Sequence, residues 1–365
     1  MEKEELIAML CLQKTQGIGD IIAKKLVGYC GSARAVFKEK SKTLEKIDGI
    51  GSYFAKCVAN SNHLDLAKKE FEYFQKNNIE CISFTDHRYP KSLLHCPDGP
   101  LLFFQDGHIS FDKYPILSIV GTRQVTSRAI DLVNEIVSDL KSYNPIIVSG
   151  FAYGVDIVAH QAAVANNLQT IGVLAHGFDT IYPKAHKKYV SHVMDNGGFI
   201  TEFWSSEQPL RENFLKRNRI VAGLSQATIV IESAVKGGSL VTAEIANSYN
   251  RDVFAVPGRV NDIYSQGCNN LIKQNKAAVL TQASDIIQML NWDVKPQEPV
   301  QRQLFVELNT EEQQIVDFLS VQEKEHIDLI ALNTQLPIHK VSTALFNLEM
   351  KGVIRPLSGK MFELN

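Results

Sequence analysis

The spacing of apolar residues changes character along the chain and divides it into zones. Residues 1–78 carry short helical patterns broken by glycines, and residues 79–290 alternate continuous apolar runs with helically spaced ones. Residues 291–307, opening with Asn291-Trp292-Asp293-Val294-Lys295-Pro296, have no period and read as a linker. Residues 308–365 return to a helical period and form a small separate unit. In the long middle zone, 115–120 is mostly apolar, as in a strand buried on both faces. It stops at Gly121, and Ile130, Val133, Ile136, Val137 and Leu140 follow at helical spacing. The pairing recurs with strand 145–149 and a helix through Ile157, Ala159, Ala162 and Ala163. Strand 170–174, helix 184–195, strand 198–201, helix 212–223, strand 227–231, helix 239–249 and strand 252–256 continue it. This alternation predicts an α/β fold, with a parallel sheet covered on both faces and joined by right-handed crossovers. Ligands of such sheets bind beyond the carboxyl ends of the strands.

The first zone repeats itself. Gln16-Gly17-Ile18-Gly19-Asp20 leads into Ala23-Lys24-Lys25-Leu26, and Asp48-Gly49-Ile50-Gly51-Ser52 leads into Ala55-Lys56-Cys57-Val58. Each matches the turn of a helix-hairpin-helix, where the free amides of the next helix can face a phosphate. The pattern suits equally a pair of hairpins packed for structural reasons. In the last zone Thr310-Glu311-Glu312 opens a helix through Ile315, Phe318 and Leu319. A second helix is expected over 327–332 and a third over 337–350, and 352–354 and 360–364 would pair as a hairpin around Ser358-Gly359.

Composition narrows the picture. Lys and Arg number 38 against 40 Asp and Glu, a net charge of -2, so only a local patch could attract a polyanion. At 45% hydrophobic the chain can fill a large core without disulfide or metal staples. None of its 6 cysteines stands in a C-x-x-C pair or at zinc-ligand spacing, so reduced thiols and a cytoplasmic setting are expected. The acidic opening Met1-Glu2-Lys3-Glu4-Glu5 is unlike a signal peptide, and no apolar run reaches the ~18 residues of a membrane span. No cofactor, metal or membrane partner is implied.

The chemistry collects at the strand ends. Gly121-Thr122-Arg123 ends the first strand of the alternating zone. Ser149-Gly150-Phe151-Ala152-Tyr153-Gly154-Val155-Asp156 ends the second, and Gly177 to Lys184 the third. Glu232 to Ser239 ends the strand near 230. Glycine lets backbone approach a ligand closely, and successive amides at a helix start form an anion nest. One such turn is as often a plain tight bend, but four on one sheet edge point to a phosphate-lined groove. The run from Arg211 to Arg219 adds four positive charges and one negative. Arginine suits bidentate phosphate contact and aromatic rings suit base stacking, for which Tyr182 and Phe178 are candidates. Arg123 and Arg217 adjoin the glycine turns and read as functional, whereas Lys187, Lys188 and Lys216 read as a solvated face. No P-loop signature and no G-x-G-x-x-G is present, and no serine or cysteine nucleophile stands beside a histidine. His160 falls one helical turn after Asp156, where a structural hydrogen bond is expected.

These residues, in order, resemble the DNA-processing protein A (DprA/Smf) family. The likeness runs through Val120-Gly121-Thr122-Arg123, Ser149-Gly150-x-Ala152-x-Gly154-x-Asp156, Asp179-x-x-Tyr182-Pro183 and Thr201-Glu202. It continues through Phe214-x-x-Arg217-Asn218-Arg219-Ile220, Glu232-x-x-x-Lys236-x-Gly238-Ser239 and Val256-Pro257-Gly258. Leu215 stands where the family often has proline, which bears on where the 212–223 helix starts. The resemblance implies an extended Rossmann-like domain at 79–290, after a helix-hairpin-helix (SAM-like) domain at 1–78 and before a winged helix at 308–365. It implies a homodimer that binds single-stranded DNA, protects incoming strands in natural transformation and loads RecA recombinase, without catalysis. By motif match, Arg123 and Lys184 are the foremost DNA contacts. Arg217, Asn218 and Arg219 follow, with Gly121, Thr122, Ser149, Gly150 and Gly154 in the turns and Lys236, Gly237, Gly238 and Ser239 in the nest.

Two other readings compete. The pocket with Gly237-Gly238-Ser239, Thr242 and Glu244 is similar to that of nucleoside-monophosphate phosphoribohydrolases, but Lys236 replaces their proline and the Gly-Thr that should follow is missing. A duplex-DNA regulator acting through its winged helix is the other, against which the third helix offers only Lys340 and Lys351 as cations.

Overall fold

The computed structural model describes residues 2–292, 308–322, 324–357 and 360–364. The chain forms two compact units, Met1–Val294 and Lys295–Asn365. The expected linker, from 293 to 307, and the Ser358-Gly359 turn lie outside the described residues.

The first unit opens with six helices: α1 (Lys3–Lys14), α2 (Asp20–Cys30), α3 (Ala33–Lys38), α4 (Ser41–Leu44), α5 (Ser52–Ala59) and α6 (Leu64–Lys76). The two repeated turns precede α2 and α5, with Gly19 and Gly51 as their N-caps. No seam separates these helices from the sheet. Leu10, Leu12, Phe71 and Phe74 share one apolar cluster with Leu101, Leu102, Phe104 and Trp204. The Phe74 and Phe104 rings lie 4.2 Å apart. The Trp204 indole donates to Gln13 Oε1 at 2.7 Å, and Ser205 donates from Oγ to Glu70 at 2.9 Å. The helices expected over 1–78 thus pack onto the sheet within one unit.

The sheet then assembles through β1 (Glu80–Ser83), α7 (Lys91–Leu94), β2 (Leu102–Gly107), β3 (Ile116–Val120), α8 (Ser127–Asp139) and β4 (Ile146–Ser149). Next come α9 (Val155–Ala165), β5 (Thr170–Val173), α10 (Val190–Asp195), β6 (Gly197–Thr201), α11 (Arg211–Leu224) and β7 (Ala227–Val230). The unit closes with α12 (Gly238–Ser248), β8 (Asp252–Ala255), α13 (Gln266–Lys273), β9 (Ala278–Val279) and α14 (Ala283–Met289). Strand order is β1-β2-β6-β5-β4-β3-β7-β8-β9. From β6 to β9 all neighbours run parallel, which makes the sheet Rossmann-like. The parallel expectation is corrected at one edge, where β1, β2 and β6 pair antiparallel. An antiparallel edge tolerates solvent on one side, and Glu80 of β1 is exposed.

Along β3 the side chains alternate between two cores. Leu117 and Ile119 pack with α8, α9 and α14 residues such as Val133, Ala159 and Ile286. Ile116 and Val120 pack with Ile220, Ala243 and Leu271 of α11, α12 and α13. The expected helix 184–195 is in two parts, a 3-10 turn over Lys184–Tyr189 and then α10. The tighter turn brings His186 inward, where its ring nitrogen lies 3.0 Å from the Phe151 carbonyl. The lack of proline at 215 changes nothing: α11 starts at Arg211.

The second unit carries α15 (Thr310–Gln322), β10 (Lys324–His326), α16 (Ile327–Thr334), α17 (Ile338–Met350), β11 (Ile354–Leu357) and β12 (Met361–Leu364). Its sheet order is β10-β12-β11, and Ile315, Leu319, Ile330, Val341 and Leu345 fill its core. This is the helix order and hairpin of a winged helix.

Candidate nucleic-acid interface

From β3 the chain moves through α8 to β4 on one side, and later reaches β7 on the other. The strand order reverses at β3, and a crevice of about 780 Å³ opens there, at the carboxyl ends. Hydrogen bonds weld its turns together. Thr122 N donates to Glu232 O at 2.7 Å, and Val155 N donates to Thr122 O at 3.1 Å. A Cβ on Gly154 would meet the Arg123 backbone at 2.6 Å, so only glycine lets the Gly121-Thr122-Arg123 turn lie against the start of α9.

Gly121, Thr122, Arg123, Gly150, Arg217, Asn218, Lys236, Gly237, Gly238 and Ser239 all line this crevice. Arg123 is exposed, and its guanidinium carbon stands 5.4 Å from the Phe214 ring centroid. Arg217 is only 5% exposed and donates from Nη1 to the Val173 carbonyl. Asp156, 8% exposed, accepts from Ala152 N at 3.2 Å. Burial pushes the Asp156 carboxyl up and the Arg217 guanidinium down, and each charge opposes the other's shift; Arg123 adds like charge beside Arg217. A Cβ on Gly150 would meet both Arg217 Nη atoms at 2.6 Å, so this glycine makes the space they occupy.

Other expected residues stand elsewhere. Ser149 is buried and donates to Ile119 O at 2.6 Å, knitting β4 to β3. Lys184 is exposed at the start of its 3-10 turn, two positions past Tyr182, which does line the crevice. Arg219 is corrected: it is 7% exposed and pairs with Glu202 and, at 3.2 Å, with Asp20 of α2. A guanidinium held by two carboxylates inside the protein is not offered to a phosphate. Phe178 is half-buried against two apolar clusters and is not among the residues that line the crevice. His160 bonds Gly150 O at 2.6 Å and Thr170 Oγ1 at 2.7 Å, with no bond to Asp156.

The crevice also holds residues not assigned from sequence: Arg211, Tyr153, Asp156 and Tyr264. Arg211 had a signal in the basic run, while Tyr264 sits far along the chain with none. Among the described residues no His, Cys, Asp and Glu cluster could hold a metal, and no helix is long and apolar enough to cross a membrane.

Comparison with known proteins agrees with this architecture. The model of the family described as DNA recombination-mediator protein A matches residues 80–291, and that of the DprA winged helix domain matches 299–360. DNA processing protein DprA of Streptococcus pneumoniae is 37% identical over 219 residues, 60% of this chain and 75% of that one. Protein Smf of Synechocystis is 31% identical over 287 residues, 77% and 72% of the two chains. A solved structure of the Streptococcus pneumoniae protein shows 32% identity with a TM-score of 0.66, covering 77% of this chain and 96% of that one. A Helicobacter pylori DNA processing protein A structure, described for its single-stranded DNA binding mode, gives 28% identity and a TM-score of 0.53, covering 59% and 97%. With its parallel sheet, its strand-end motifs and its winged helix matched together, the chain belongs to the DNA recombination-mediator protein A (DprA/Smf) family.

Proposed function

We propose that this protein binds single-stranded DNA along the crevice at the strand-order reversal and delivers it to RecA recombinase during natural transformation. It acts as a cytoplasmic homodimer and as a binding protein, with no bond-making step of its own. The observation that carries the reading is the convergence of Arg123, Arg211, Arg217 and Lys236 with two glycine-rich turns in one crevice. Exposed Tyr153 and Tyr182 at its rim supply faces on which bases stack. The Helicobacter pylori relative supports the choice of a single strand, and membership of a family described as recombination mediators supports a recombinase as the partner. The winged helix favours no duplex role, since Lys340 of α17 and Lys351 just after it are paired with Glu311 at 2.7 Å and Glu312 at 2.6 Å.

Titrating a labelled oligo-dT at several salt concentrations tests the reading. Arg123→Ala is expected to weaken binding and to flatten the slope of log K against log salt by about 0.7, the value for one lost phosphate contact on a single strand. An unchanged slope rejects the role of Arg123, and failure of the unaltered protein to hold oligo-dT rejects the function.

A further inference from the structure

We propose that the crevice takes a nucleotide by its phosphate monoester, either as a free nucleoside monophosphate or as the phosphorylated end of a strand. The proposal rests on the reading of the crevice as a DNA site and adds which kind of phosphate it prefers.

Charge is the first ground. Four cations, Arg123, Arg211, Arg217 and Lys236, line the crevice against one carboxylate, Asp156, an excess of three. A phosphodiester inside a strand brings a single negative charge, whereas a monoester brings about 1.5 to 2 at pH 7. In a walled crevice the additional charge is only weakly screened, so it adds to the attraction.

Arg217 supplies the second ground. It is 95% buried by its 5% exposure, and its Nε has no acceptor among the described residues. A buried donor without an acceptor is costly and is seldom left so unless a ligand completes it. A monoester carries three terminal oxygens and a diester two, so the monoester has one more to share between Arg217 and its neighbours.

The third ground is the opening of α12, an eleven-residue helix whose first amides belong to Gly238 and Ser239, two residues that line the same crevice. Those amides have no partners within the helix, and the helix dipole favours the more negative group. The crevice volume of about 780 Å³ falls within the range of small-molecule sites and admits one nucleotide.

Calorimetry on the full chain tests this with four probes: dTMP, thymidine, a 5′-hydroxyl dT 20-mer and the same 20-mer with a 5′-phosphate. The expected result is that dTMP binds at least about tenfold more tightly than thymidine and displaces the 20-mer. Lys236→Ala, a change at an exposed position, should weaken dTMP about tenfold with an unaltered circular dichroism spectrum. Tighter binding of the phosphorylated 20-mer assigns the strand end as a source; a response to dTMP alone assigns the free nucleotide. If dTMP binds no better than thymidine and the 5′-phosphate adds nothing, while the hydroxyl 20-mer still binds, the monoester preference is overturned and the strand-binding function stands. If neither 20-mer binds, the strand-binding function falls instead, and dTMP against thymidine alone decides the preference.

Discussion

His160 sits 1% exposed, with one ring nitrogen on the Gly150 carbonyl and the other on Thr170 Oγ1. Burial is the main reason its pKa is pulled from 6.5 to about 4. Between those values the unfolded chain holds a proton that the folded one does not. Stability therefore rises as pH rises from about 4 to 6.5 and is lost on acidification, by on the order of 3 kcal/mol. Urea unfolding at pH 7 and pH 4.5 should show this loss, and His160→Gln should shrink the difference; an equal pH effect in both proteins would refute the assignment. At this scale the sequence was a partial guide. The four-residue spacing of Asp156 and His160 put them on one helix face, yet their partners lie on other elements. The guanidinium that faces Asp156 comes from α11, a relation no local pattern can carry.

Thr126 joins two elements of the crevice. Its Oγ1 caps α8 by accepting from Ala129 N at 3.2 Å and donates to Glu232 Oε1 at 2.6 Å. Glu232 also accepts from Thr126 N at 3.0 Å, so the loop after β3 is tied twice to the end of β7. Thr126→Ala should cost about 1 kcal/mol in a chemical denaturation experiment, and Thr126→Ser should restore most of it. A Thr126→Ala protein as stable as its parent would show that the cap is dispensable. The strands and helices of the parallel zone were readable because buried parallel strands are apolar runs and their covering helices have a clear period. The edge was not. Glu80–Ser83 is half solvent-facing and short, and its antiparallel pairing with Leu102–Gly107 leaves only weak alternation.

Across the whole molecule, the Arg219 cluster decides how the N-terminal helices are held. Its guanidinium bridges Asp20 of α2 and Glu202 beyond β6, and Lys216 joins Glu202 at 2.9 Å. Arg219→Ala would leave the buried Glu202 carboxylate to Lys216 alone and should cost about 3 kcal/mol, read by thermal unfolding. The salt slope of oligo-dT binding should stay that of the parent, because no phosphate contact is removed; a flatter slope would return Arg219 to the DNA site. Motif order could not separate Arg217 from Arg219, since two positions on a helix point to different surroundings and only the fold tells which is which. The apolar cluster shared by α1, α6, β2 and Trp204 has a consequence for synthesis. Glu70 and its partner Ser205 are 135 positions apart. The leading helices thus leave the ribosome with an oily face that β2 covers in part and that is completed only when the chain has grown past Trp204. During that interval a nascent protein of this design should lean on a holding chaperone, and a fragment ending before Ser205 should be sticky rather than simply inactive.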